Sequence, residues 1–186
     1  MKELLKSLKP ALYCFIIMTI LCGVIYTGVI TGVAQLLFPN KANGSVITVT
    51  LKDGSHKDYG SALIAQKFTK PEYLIGRPMG VTNLSAVSKK QAALVKERIK
   101  WWHDLDPDNK ADIPMDLVTA SGSGVDPNIS PAAAEYQVSR IAKQRGMSEN
   151  DVRSVIARYT SQKLLGFIGE PAVNVLKVNL ALDKLI

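Results

Sequence analysis

Hydrophobic and polar positions divide the chain sharply near its start. Residues 11–38 contain no Asp, Glu, Lys, Arg or His, an uninterrupted run of 28. Wound as a helix at about 1.5 Å per residue, such a run is roughly 42 Å long, enough to cross a ~30 Å hydrocarbon core. Beyond it the pattern shortens. Ile47, Val49 and Leu51 alternate within 45–51 and predict a strand. Asp53-Gly54 is a tight-turn pair that should return the chain as a second strand over 56–59. Residues 62–68 read as a short helix, and Gly76-Arg77-Pro78 punctuates a loop. Ser88-Lys89-Lys90-Gln91 has the form of a capping box. The helix it opens runs to about His103 and carries Val95, Ile99 and Trp102 on one face.

After an acidic loop over 104–114, residues 115–119 suggest a short strand. Ser130-Pro131 supplies an N-cap and a first-turn proline for a helix expected to end at Arg145-Gly146. Ser148 with Asp151 opens another helix, ending near Gln162. In 173–182, Leu176, Val178, Leu180 and Leu182 alternate and predict a final strand. The expected class is α+β: one N-terminal transmembrane helix followed by a small mixed α/β extracytoplasmic domain. The expected divisions are 1–10 for a cytoplasmic N-terminus, 11–38 for the span and 39–186 for the outer domain.

Charge fixes the expected orientation. Lys2, Lys6 and Lys9 precede the apolar run against Glu3, and only Lys41 follows it closely. Cations near a span favour the cytoplasmic side, so the domain should lie outside. Gly32-Val33-Ala34 resembles a signal-peptidase site, but the apolar run before it is longer than a signal peptide needs, which favours a retained anchor. Cys14 and Cys22 both fall within the span, so the outer domain has neither a disulfide nor a thiol nucleophile. The formal net charge is +7, with both signs mixed along the chain. That reads as a solvated surface and gives no expectation of a nucleic-acid partner.

The span carries more than apolarity. Gly23, Thr27 and Thr31 recur every fourth residue, and Gly28 and Gly32 form a Gly-x-x-x-Gly pair. Small residues at that spacing let a second helix approach closely, so these five are the expected partner-facing set.

No catalytic or metal site is expected. His56 and His103 fall in different elements, and no zinc spacing exists. Asp104, Asp106 and Asp108 fit the start of a calcium loop, but Asn109 stands where that loop needs Gly and Met115 where it needs Glu. Ser121-Gly122-Ser123-Gly124 lacks the flanking glycines of a nucleophile elbow and the Lys of a phosphate loop. It reads instead as a turn passing close to another backbone. Trp101-Trp102 with Lys96, Arg98 and Lys100 suits either packing or an interface with headgroups or protein, with one indole in the core and the other half-exposed.

Several stretches are similar to one family. They are the run 117–131 (LVTASGSGVDPNISP), the run 169–176 (GEPAVNVL) with 179–183 (NLALD), Gly76-Arg77-Pro78, and 61–68 (SALIAQKF). In this order behind a single span, they resemble the C subunit of the bacterial Kdp potassium-transporting ATPase along nearly the whole chain. Met79, Ala65 and the direct passage to Asn83-Leu84-Ser85 depart from the family's usual glycine-rich pattern. The resemblance implies an accessory subunit of the bacterial cell membrane with no cofactor of its own. It implies partnership with a channel-like potassium-binding subunit and a P-type ATPase subunit. It also implies a chaperone-like effect that raises the pump's ATP affinity, with nucleotide-related roles attached to Ser61, Leu63 and Gln66. An outward domain cannot reach cytoplasmic ATP, so any such effect should pass through the complex, with the domain gating the outer mouth of the channel-like subunit. The competing expectations are an anchored hydrolase using Ser121 or Ser123, and a free-standing binding module.

Overall fold

The computed structural model describes residues 2–186, with side chains from residue 6 onward. Lys2 and Glu3 of the charge argument therefore lie outside the described side chains. The chain divides into two compact units, at Val46 and Ile47.

The first unit is dominated by one continuous helical rod. It comprises α1 (Lys2–Met18), a wider π-helical stretch (Thr19–Tyr26) and α2 (Thr27–Leu37). The helix passes through Pro10 without ending there. Lys6–Leu37 is long and apolar enough to cross a membrane, and no side chain of the π stretch or of α2 is buried. A surface that is apolar on all sides and unburied belongs in lipid or against other helices. The rod stops at Phe38, and a single turn follows, α3 (Pro39–Ala42). The Gln35 and Asn43 amides close over that corner by exchanging hydrogen bonds of 3.0 and 3.1 Å.

The second unit opens with a hairpin of β1 (Val46–Thr50) and β2 (His56–Ser61). Val49 is buried while Thr48 and Thr50 face out, as the alternation predicts. Asp53 caps the turn by accepting from the Ser55 amide and hydroxyl, which holds its carboxyl below the usual range. Next come α4 (Lys89–Leu105), α5 (Met115–Val118), β3 (Asn128–Ile129), α6 (Pro131–Glu135), α7 (Val138–Arg145), α8 (Glu149–Arg158), β4 (Thr160–Ser161), β5 (Ala172–Asn174) and α9 (Val175–Leu182). The second sheet has the order β3-β5-β4, antiparallel throughout, with Val173 opposite both Ile129 and Thr160. The helices enclose Leu74, Trp102, Leu117, Ile141, Val152, Val173 and Val178, all nearly inaccessible to solvent. The α+β class is as expected.

Five local expectations are corrected in whole or in part. Residues 173–182 are a strand for only two residues and then a helix. The Asn174 side chain accepts from the Lys177 amide and caps α9, whose Val175, Leu176, Val178, Asn179, Leu180 and Leu182 are all buried. A helix buried on nearly every side has no polar face, so the residues alternating within it mimic a strand. Residues 115–119 form one helical turn in which Thr119 returns both its amide and its hydroxyl to the Met115 carbonyl. Residues 62–68 are not helical. Leu63 and Ile64 N–H turn back only to Ser61, while Ala62 C=O goes to the Asn174 side-chain amide and Ala65 N–H to Val125 C=O, far away in sequence. The helix opened by Ser130 is broken at Tyr136-Gln137, where the Gln137 N–H returns to Ala134 and the chain tightens. Half of the α4 capping box forms. Ser88 Oγ accepts from Gln91 N–H at 3.1 Å, while Gln91 Oε1 has no partner and Ser88 N–H goes to Ser85.

Candidate functional site

The segment 71–77 passes through the core, with Leu74 and Ile75 buried, without joining a sheet. Leu74 is fully buried, so its amide and carbonyl need partners. Asn179 provides both, accepting Leu74 N–H at 2.8 Å and donating to Leu74 C=O at 2.8 Å. Gln137 does the same for Ile75, at 2.8 and 2.9 Å. Two side-chain amides thus stand in for a neighbouring strand. The Arg140 guanidinium donates to Pro71 C=O, to Tyr73 C=O and to Gln137 Oε1. Arg145 donates to Glu72 C=O, Leu182 C=O and Asp183. Burial pulls Arg140 down to about 10, against the opposing field of Asp106. The Tyr73 phenol is half-buried and donates to Asp183 at 3.0 Å, and partial desolvation together with that bond pushes it above its ordinary value.

This clamp delivers Gly76, Arg77 and Pro78 to one wall of a cleft of about 440 Å³. The other walls come from Gln66, Lys67, Arg98 and Trp101, with Trp102 and Leu117 at the base. Trp102 is buried and donates Nε1–H to Leu117 C=O at 3.1 Å. Trp101 stands half-exposed at its edge, with ring centroids 5.1 Å apart. Arg98 donates to Val118 C=O at 2.8 Å, and Arg77 lies 3.3–3.4 Å from the Thr119 and Ala120 carbonyls. Arg77 reaches Asp126 only at 4.0 Å, and its Nε has no partner among the described residues. Among the described residues no carboxylate lines the cleft, so Lys67, Arg77 and Arg98 leave it cationic beside an exposed indole. Such a surface suits an anionic or carbonyl-rich group with an aromatic or apolar body.

The residues singled out from sequence fall as follows. Gln66 lines this cleft, and its amide packs against Gly60, where a Cβ would lie 2.2 Å from Nε2. Ser61, the residue after Gly60, accepts from Leu63 N–H at 3.0 Å. Leu63 is exposed and lines a different depression, with Pro127, Tyr159 and Lys177. The three residues tied to nucleotide by resemblance therefore do not share one cleft. Ser121 and Ser123 hydrogen-bond each other and the amides of Gly124 and Val125, and neither histidine is among their partners. The loop passes a second backbone, as expected. Gly124 has φ +70°, and a Cβ there would lie 2.7 Å from the Gly80 carbonyl carbon. Of the basic tryptophan patch, Arg98 and Trp101 reach the cleft, while Lys100 pairs with Asp104 at 2.8 Å. His56 sits on the hairpin, 3.1 Å from Thr50 Oγ1. Among the described residues, no three His, Cys, Asp or Glu side chains converge on a metal position. Sequence reasoning missed Lys67 and Arg77 as cleft cations, and gave no role to the apolar run 164–168.

In the helical rod, Gly28, Thr31, Gly32 and Gln35 fall within roughly 100° of arc at 100° per residue, with Thr27 roughly 40° beyond. A Cβ added at Gly28 or Gly32 would meet nothing within 4 Å. Thr27 donates its hydroxyl to the Gly23 carbonyl, so that group is already occupied within the helix.

Comparison with known proteins adds the context. Residues 8–184 match the family described as "KdpC: K+-transporting ATPase, c chain". The chain is 55% identical over 188 residues to the potassium-transporting ATPase KdpC subunit of Listeria monocytogenes serotype 4a, covering all of this chain and 99% of that one. It is 56% identical to the Listeria innocua subunit, with the same coverage. It is 49% identical to that of Clostridium botulinum (strain Eklund 17B) over 207 residues, covering both chains completely. A match of this extent, running through the apolar helix and the cleft-bearing domain alike, places the chain in the KdpC family, the c chains of potassium-transporting ATPases.

Proposed function

We propose that the chain is a non-catalytic accessory subunit of an ATP-driven potassium-uptake complex. Its rod spans the cell membrane with the N-terminus in the cytoplasm and packs through Gly23, Thr27, Gly28, Thr31 and Gly32 on a channel-like, potassium-binding subunit. Its domain lies outside and covers the outer mouth of that subunit. ATP is hydrolysed by a separate P-type ATPase subunit, and this chain holds no cofactor of its own. The single observation that carries the reading is the end-to-end match to potassium-transporting ATPase c chains. An apolar helix of which no side chain from Thr19 to Leu37 is buried supports it.

The domain raises ATP affinity without touching ATP. It binds two states of the complex unequally, and a ten-fold change in affinity requires a difference of about 1.4 kcal/mol between them. The nucleotide role that resemblance attaches to Ser61, Leu63 and Gln66 is, in this reading, exerted through the complex. The test is to assemble the complex with and without this chain and follow potassium-stimulated ATP hydrolysis against ATP concentration. The chain should lower the ATP concentration needed for half-maximal rate. Identical curves together with identical potassium transport would overturn the proposal.

A further inference from the structure

Between β4 and β5 every residue from Gln162 to Glu170 is exposed, yet the segment is folded. Leu164 and Ile168 form an antiparallel bridge closed by two backbone hydrogen bonds, 2.8 and 2.9 Å long. Leu165 (φ +54°) and Gly166 (φ +83°) make the tight return. The result is a small preformed hairpin whose tip presents Leu164, Leu165, Phe167 and Ile168 to solvent, at 65, 76, 73 and 48% exposure. Four large apolar side chains within five residues, held in a fixed shape and left in water, form a contiguous patch of the kind that marks an interaction site. Preforming the loop removes the ordering cost that a flexible segment would carry on binding.

We infer that this hairpin is the domain's docking knob, inserting its Leu164–Ile168 tip into an apolar groove on another subunit of the potassium-transporting ATPase. The inference rests on the accessory-subunit reading and names the element that makes the contact. Charge argues for protein over lipid. The tip from Leu164 to Gly169 has no charged residue, and Lys163 at its base is paired with Glu170 at 3.5 Å. The knob therefore offers no unpaired cation to a phosphate headgroup, and it carries neither Trp nor Tyr for the membrane interface. A convex, uncharged tip complements a dry concave groove, where a buried aromatic anchor contributes most of the binding energy.

The experiment is photocrosslinking in native membranes of cells grown at limiting potassium. The full chain carries Phe167→p-benzoylphenylalanine, with Lys57→p-benzoylphenylalanine on the exposed β2 edge as the control site, and the complex is purified afterwards by a tag on this chain. The expected result is a covalent adduct between position 167 and another ATPase subunit, absent or much weaker from position 57. The double variant Leu165→Ser/Phe167→Ser should reduce retention of the other subunits by about ten-fold or more as detergent is raised. All its changes are at exposed positions, so the melting temperature of the chain should not move. Adducts to lipid alone, or none, from a chain that still co-purifies with its partners would overturn the docking inference and leave the accessory reading standing. A chain that co-purifies with no ATPase subunit would overturn both.

Discussion

Replacing Gly28 and Gly32 together by Leu isolates the membrane contact from the fold of the chain. A Cβ at either position meets no atom within 4 Å, so the rod itself accommodates both side chains. Leu is also the better helix former, by roughly 0.8 kcal/mol per site, so the isolated helix should gain. Against a partner helix packed on this strip the sign reverses. Each Leu adds four carbon atoms where close approach was possible, and overpacking costs about 1–3 kcal/mol per site. Two sites give about 2–6 kcal/mol, and even the lower value corresponds to roughly a 30-fold weaker association. The assay is the amount of other ATPase subunits retained on the tagged chain through a mild-detergent wash series. Val29→Leu, on a different side of the same helix, serves as the control. Wild-type retention by the double variant, or equal loss with the control, would refute a partner helix on the Gly28–Gly32 strip.

Three further outcomes concern the domain. Asn179→Leu leaves both backbone groups of buried Leu74 unpaired, and should lower stability by about 2–5 kcal/mol in denaturant unfolding of the full chain in detergent. Unchanged unfolding would mean that the amide clamp does not hold the segment 71–77. Gly124→Ala places a Cβ against the Gly80–Val81 backbone at positive φ, and should cost about 2–4 kcal/mol, whereas Gly122→Ala, in open space, should be nearly neutral. The Tyr73 phenol has a raised folded value, so its contribution is fully present below the unfolded value near 10 and is lost as pH rises through the folded one. Arg140, held down at about 10, acts in the opposite sense over that range, so the informative comparison is between parent and Tyr73→Phe. The variant should lose about 1 kcal/mol at neutral pH, and its stability should fall less steeply above pH 10. Parallel alkaline curves would contradict the assignment.

How much of this was legible in the sequence depended on where each element finds its partners. The apolar rod, the Asp53-Gly54 hairpin and the Ser130 and Ser148 caps rest on local hydrogen bonds or on composition, and each is visible in a few residues. The run 173–182 misled because α9 is buried nearly all round and shows no helical polar face. Asn174, whose side chain caps it, was the signal to weigh. The residues 62–68 misled for the opposite reason, since Ala62 C=O and Ala65 N–H are taken by Asn174 and Val125, far away in sequence. Asn179 and Gln137 look like polar accidents inside apolar runs until the segment they clamp is seen between them. The cationic cleft was half legible through Arg98 and Trp101, while Arg77 joins them only because the clamp carries it there. The uncharged Leu-Leu-Gly-Phe-Ile run was plain in the sequence, but only the exposure of all five residues separates it from ordinary core.

The central claim is that the chain works as part of a potassium-transporting ATPase and not alone. It is tested most directly by isolating the tagged chain in mild detergent from its own membranes, grown at limiting potassium, and identifying what comes with it by mass. The account predicts a P-type ATPase subunit and a channel-like subunit in fixed proportion to the chain. Recovery of the chain by itself, stable and monodisperse, would contradict it.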